Sequence, residues 1–294
     1  MIRPFRNRWL KVLPNHFLLL AVAVATVGRP VVLAAQTGSV ERYPIGAVLA
    51  GNVVLGVAIA AIGQLGNRDK AFRAAAKGGV AGAVVFAGKW IVSQNKSGTN
   101  ILGREIAAAG SSGVKNAAAG DGMLQFVTLI YGPLRFHVTT GKHFSVRPKL
   151  DIASSLVLWK ASRADQLSFN RRRSFASGVP VFEVDSAKRT GGLGGSQEGG
   201  VVQFRSKIPS QIMASDVLEK VIGHELVHVV QYDFAFNSIV EPIEKLILDG
   251  IPGGSFVHRY IDLGLNVPLL SALNAIEPYK TRPWEREART LSGR

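Results

Sequence analysis

The chain of 294 residues contains no cysteine. That excludes disulfide bonds, a thiolate metal site and a cysteine nucleophile. Any zinc it binds must be held by histidine and carboxylate, a donor set that suits a catalytic site better than a structural one. Acidic residues are scarce as well: 20 Asp and Glu stand against 35 Lys and Arg, a formal net charge of +15. Such a surplus points to anionic partners, acidic lipid or an anionic polymer. Neither a zinc finger nor an aromatic RNA-binding signature accompanies it, so nucleic acid is not an expected partner. The run Arg171-Arg172-Arg173 reads as a solvated loop or strand edge. The glycine-rich segment 191–200 lacks the lysine and spacing of a phosphate-binding loop and reads as a flexible loop.

Charge is missing altogether from Tyr43 to Asn67. The stretch 45–65 is long enough to cross a bilayer as a helix. It carries Gly46, Ala50, Gly51, Gly56 and Gly63, with Ala47 and Gly51 at the small-xxx-small spacing that lets helices pack closely in a membrane. A second run, 78–92, is similar but shorter, and Lys89 interrupts it. The pair predicts a helical hairpin turning at 67–70. Its first arm reads as transmembrane, its second as a partner helix or an interfacial one. A soluble Ala/Gly-rich helical layer is the competing reading. A further helix is expected over 100–120, although its Gly110-Ser111-Ser112-Gly113 centre is weak for a helix.

Upstream, residues 1–35 carry five basic residues and no acid. A basic stretch from Arg3 to Lys11 precedes an apolar run from Phe17 to Val27, and Leu33-Ala34-Ala35 offers small residues before Gln36. This reads as an export signal or an uncleaved membrane anchor. Arg29 weighs against a spanning anchor, because charge at mid-membrane is costly. The rest of the chain is thus expected to be exported and membrane-associated, on the periplasmic or extracellular side.

Beyond Gly122 the periodicity changes from helical to alternating. Leu134, Phe136 and Val138 alternate with Arg135, His137 and Thr139. Leu150 and Ile152 alternate with Lys149 and Asp151, and Leu167 and Phe169 with Ser168 and Asn170. Val179, Val181 and Val184 mark another strand, and 201–204 a last one. Short alternating runs broken by Gly and Pro predict an antiparallel sheet, a meander or a small barrel.

The chemistry is concentrated in His224-Glu225-Leu226-Val227-His228. This H-E-x-x-H lies in an apolar helical pattern over 217–230, with Asp216 and Glu219 at the positions of a capping box. Two histidines four apart share one helix face, so their imidazoles can converge on one metal ion. Glu225, beside the first, can reach a water on that metal.

The segment resembles the active-site helix of the zincin metallopeptidases. The resemblance covers this helix and a C-terminal segment only. It implies a Zn2+ cofactor held by His224, His228 and a third protein ligand, with Glu225 as general base. In the gluzincin branch the third ligand is a glutamate on a later helix, often in an E-x-x-A setting. Glu285 with Ala288 matches that spacing, and Pro283 is placed to open a helix. Glu285 therefore takes the ligand role, with Glu287 in reserve. The chain departs from the pattern at Arg289, where the family often has an acid, which leaves the support of the histidines open. No third histidine follows closely, since the next is His258. By resemblance, 201–205 would be the strand along which an extended peptide substrate adds. Tyr232, His258, Tyr260 and Tyr279 are oxyanion donors by residue type only.

The expected fold is α+β: a signal or anchor over 1–35, a Gly/Ala-rich and membrane-associated helical segment over 36–120, and a zincin-like metallopeptidase domain over 121–294. The expected function is zinc-dependent hydrolysis of peptide bonds in a peptide or protein substrate. The alternative is a non-catalytic subunit of a membrane protein complex that keeps a zincin-like scaffold.

Overall fold

The computed structural model describes residues 42–294, except 97, 142, 166, 185–193, 199–200, 206–214, 268, 270–271, 273–275, 277–281 and 294. The export-signal reading of 1–35 therefore lies outside the described residues. Val40–Arg294 form one compact unit, and everything below concerns it. Its class is α+β, a mixture of helices and small sheets.

Three helices open the unit: α1 (Ile45–Gly63), α2 (Arg68–Ser93) and α3 (Thr99–Ala119). The Asn67 side chain caps α2 by accepting the Lys70 N–H, so the chain turns where the sequence predicts. α1 buries a narrow stripe, Val48, Asn52, Gly56 and Ala60, spaced by four. A Cβ on Gly56 would come within 2.1 Å of the Gly78 carbonyl oxygen, and one on Gly82 within 2.2 Å of that of Asn52. Backbones this close admit only glycine. The Ala47/Gly51 pair is not the contact: both are exposed, and nothing lies within 4 Å of where a Gly51 Cβ would be. The choice of stripe is set by which face carries Asn52, whose amide has partners inside.

The glycine- and serine-rich centre of α3 is where it meets α2. A Gly110 Cβ would lie 2.7 Å from the Val85 nitrogen. Ser112 Oγ donates to the Ala108 carbonyl, which satisfies it without solvent. The low helix propensity of this centre is offset by packing. Both α1 and α2 are long and apolar enough to cross a membrane by length and composition, and only 22% of the most apolar window of α1 is buried.

Among the described residues, eight strands form two sheets of four, with orders β1-β2-β3-β8 and β4-β5-β7-β6. The strands are β1 (Phe126–Tyr131), β2 (Leu134–Thr139), β3 (Ser145–Asp151), β4 (Leu167–Phe169), β5 (Val181–Val184), β6 (Gly194–Glu198), β7 (Val201–Arg205) and β8 (Ile261–Asp262). β1–β3 is the expected antiparallel meander, but β3 pairs with β8, and β5 with β7, in parallel. Both sheets are therefore mixed, not antiparallel throughout. Part of the glycine-rich segment read as a loop is the edge strand β6. Ile152 is not in a strand. It opens α4 (Ile152–Ser162), because the Asp151 carboxylate accepts the Ser154 N–H and starts a helix there. The arginine run opens α5 (Arg171–Ser177), capped by Asn170.

The first sheet buries its polar face. Arg135, His137, Lys149 and Asp151 face inward and are buried, whereas Leu134, Val146 and Leu150 face out at 41%, 48% and 38% exposure. Alternation in sequence defines two faces but not which one is covered.

At the centre lies α6 (Ser215–Ala235), which continues through a π-turn (Phe236–Val240) into α7 (Glu241–Asp249), α8 (Gly254–Tyr260) and β8. Leu218, Ile222, Leu226, Val227, Val229 and Val230 of α6 enter the main core with Val92 of α2 and Val181 and Val202 of the second sheet. α6 is buried around most of its circumference, as a helix apolar on several faces must be. The closing helix is α9 (Pro283–Ser292).

Candidate metal centre

α6 crosses the end of α2 at Gly223, where a Cβ would meet the Ser93 carbonyl oxygen at 2.3 Å. The glycine therefore lets the next residue, His224, sit deep in the unit at 1% exposure. The expected capping box is not seen in that form. The helix begins at Ser215, the side chain of Asp216 lies outside the described residues, and Glu219 is engaged by Asn95 and by Arg173 at 3.0 Å. On the opposite wall Pro283 opens α9, as its fixed φ favours. Ala288, fully buried, anchors α9 in the core one turn beyond Glu285. The start of α1 clips the far end of α9, with the Tyr43 N–H donating to Thr290 Oγ1 at 2.9 Å.

This packing brings three predicted residues together. His224 Nε2 and His228 Nε2 are 3.1 Å apart, and the Glu285 oxygens lie 3.3 and 3.4 Å from them. A tetrahedral ion with bonds of about 2.0–2.1 Å would hold its donors about 3.3–3.4 Å from one another. The observed triangle has that size. His228 Nδ1 lies 2.7 Å from Gln231 Oε1, an oxygen that can only accept. The proton of a neutral His228 therefore sits on Nδ1, which leaves Nε2 as a lone pair facing the centre. Two ring nitrogens and a carboxylate aimed at one point need a proton or a cation between them. Burial by itself would raise the Glu285 carboxyl, but the two imidazoles hold it well below the ordinary carboxylate range. Burial would lower His228, yet Glu285 and Glu225 outweigh it and its pKa is raised. Both directions describe a pocket that draws positive charge, so the residues present fit a divalent ion. Glu225, the proposed base, is buried at 3% exposure and close enough for its charge to act on His228.

Glu287 is not at the triangle. It receives Lys89 Nζ at 2.9 and 3.1 Å, Asn52 Nδ2 at 2.8 Å and Gln231 Nε2 at 2.7 Å. Two residues beyond Glu285, it points to another side of α9, toward the α1–α2 hairpin. A continuous path runs from Lys89 and Asn52 through Glu287 and Gln231 to His228. Sequence reasoning noticed Lys89 only as an interruption and missed Gln231. The signal available for Gln231 was its place three residues after His228, within reach along the helix. It supplies the support that Arg289 left open.

No family model matches the chain, and neither a curated protein nor a solved structure is significantly similar to it. The case for the site therefore stands on its own geometry.

Of the oxyanion donors named from sequence, Tyr232 is buried with its hydroxyl 3.5 Å from Asp151, and His258 lies near Glu241 and Asp262. Tyr260 packs edge-on against Phe256, and Tyr279 lies outside the described residues. β7 is not an edge available to a substrate, since β5 and β6 pair with it on both sides. The edges of that sheet are β4 and β6.

A second group, Glu241, His258 and Asp262, also has ligand atoms within 4.8 Å of one another. It already contains a cation. Lys149 Nζ bonds Asp262 and lies 3.6 Å from Glu241, Lys115 bonds Glu241, and Arg135 lies 3.5 Å from Asp262. A metal there would have to displace a buried ammonium.

Proposed function

We propose that the protein is a zinc-dependent, membrane-associated metallopeptidase that hydrolyses peptide bonds in a peptide or protein substrate, with its catalytic unit on the exported side. The observation that carries this reading is the buried triangle of His224, His228 and Glu285 donors, at the spacing a four-coordinate ion requires and with Glu225 beside it. A bound zinc would supply Lewis acidity toward a carbonyl and a water of lowered pKa. His224 and His228 would hold it through Nε2, and Glu285 through a carboxylate oxygen. Gln231 fixes the His228 ring by accepting a hydrogen bond from its Nδ1–H. Glu225 takes the proton of the attacking water on a carboxylate oxygen and returns it to the leaving amine nitrogen. An extended substrate backbone fits best along β6, whose far side has no paired strand among the described residues. Membrane association is supported by α1, with its uncharged sequence and largely uncovered flank.

The test is metal analysis of the purified chain together with peptide hydrolysis by the wild type and Glu225→Gln. The expected result is stoichiometric zinc in both, with kcat reduced about 10²–10⁴-fold in the variant. Zinc in the wild type with no hydrolysis of any peptide would reassign the ion to a structural role, and no zinc would end the proposal.

A further inference from the structure

The meander β1–β3 has two faces of opposite chemistry. Its register aligns Tyr131 with Leu134 and Leu150, Leu129 with Phe136, and Val127 with Val138 and Val146. All point away from the unit's interior, and Tyr131, Val146, Leu134, Leu129 and Leu150 are 38–48% exposed. Three strands about 4.8 Å apart and some five residues long give a face of a few hundred Å², at the size where an exposed apolar patch marks an interaction site. The face has no charged side chain, and its one polar group is the Tyr131 hydroxyl. The opposite face is buried and ionic, with Arg135 paired to Asp151 at 2.8 Å and Lys149 to Asp262. A sheet designed for water on its outer side would have the reverse polarity.

We propose that this outer face is a lipid-contact surface, seated against the acyl boundary of an anionic bilayer. Three observations favour lipid over a protein partner. The open main-chain edge of β1, which hydrocarbon would not tolerate, is closed from within: Ser112 Oγ accepts the Thr128 N–H at 2.9 Å and Asn116 Nδ2 donates to the Phe126 carbonyl at 2.7 Å. The same compact unit presents a second uncovered apolar surface of different architecture, the flank of α1 with Ile45 at 53% and Val54 at 58% exposure. The chain's charge of +15 complements acidic headgroups. The inference deepens the membrane association proposed above and does not depend on the metal centre.

The absence of cysteine makes the test direct, because one introduced thiol is the only one to label. Full-length Leu134→Cys and Val146→Cys proteins, each carrying an environment-sensitive fluorophore, are mixed with vesicles of phosphatidylcholine and phosphatidylglycerol. Lys245→Cys on α7, 58% exposed at its side chain, is the reference. Labels at 134 and 146 are expected to shift to the blue and to be quenched by nitroxide on the lipid chains, while the label at 245 is neither. Vesicle-bound protein with unquenched labels at 134 and 146 would overturn the lipid face and leave membrane association standing. Labels that become buried without quenching would assign the face to a second copy or another protein, and overturn it equally. Failure of the chain to bind vesicles would overturn both.

Discussion

Among the described residues, two largely buried groups of histidine and acid lie in this unit, and by distance alone either could hold a metal. Around His224, His228 and Glu285 the triangle itself holds two imidazoles and one carboxylate, with no lysine or arginine in it. Around Glu241, His258 and Asp262 the protein supplies Lys149, Lys115 and Arg135. Ligand spacing is therefore not sufficient to recognise a metal site. What separates the two is whether positive charge is missing. The first group could take a cation from outside, whereas the second has been neutralised during folding.

The sharpest way to break this contrast is to remove a carboxylate from each. Glu285→Ala should abolish stoichiometric zinc, read by metal analysis after dialysis, while Glu241→Gln should leave it unchanged; loss of zinc in both would show that the second group is a metal site too. Removing the internal cation is the next largest effect. Lys149→Met removes the ammonium between Glu241 and Asp262, leaving Lys115 against the one and Arg135 against the other, and should cost about 3–5 kcal/mol in denaturant unfolding. A neutral result would mean that the ammonium is not what balances that cluster. Gln231→Leu frees the His228 ring and severs it from Glu287. Zinc affinity, measured by competition with a chelator, should fall about 10–100-fold, with the fold intact and with partial recovery in Gln231→Asn. No change would show that the path to Lys89 does not steady the ligand.

The smallest effect concerns a half-buried acid on α3. Burial raises the Glu105 carboxyl to about 7 from an ordinary 4.5, against the opposing pull of Arg104. A folded-state pKa above the unfolded one means the folded chain binds the extra proton. The contribution is therefore fully present below pH 4.5 and is lost as pH rises toward 7. Glu105→Gln should flatten the melting temperature across that window and raise it at pH 8. A wild type that gains stability from pH 5 to 7, with the variant behaving identically, would refute the assignment.

Much of the site was legible. His224, Glu225 and His228 fall on one helix because spacing of four is a helical property. Pro283, Glu285 and Ala288 announced a second helix by local rules. Legibility failed where the deciding fact was a distant neighbour. Glu285 and Glu287 are both acids near the start of α9, and only the packing of Lys89, Asn52 and Gln231 sends Glu287 away from the triangle. The reading of β7 as a substrate edge failed because strand order is not written in a strand. Alternation in β2 and β3 left open which face is buried, and it is Asp233 and Glu241 on distant elements that receive Arg135 and Lys149 inside.

By itself the sequence determined the local conformations, the absence of thiol chemistry and the helical pairing of two imidazoles, since each depends on residues a few positions apart. The tertiary structure decided which carboxylate joins them, which acidic cluster brings its own cations and which face of the meander is left apolar in the open. Those choices depend on charges and surfaces tens to hundreds of residues away, and only folding sets them side by side.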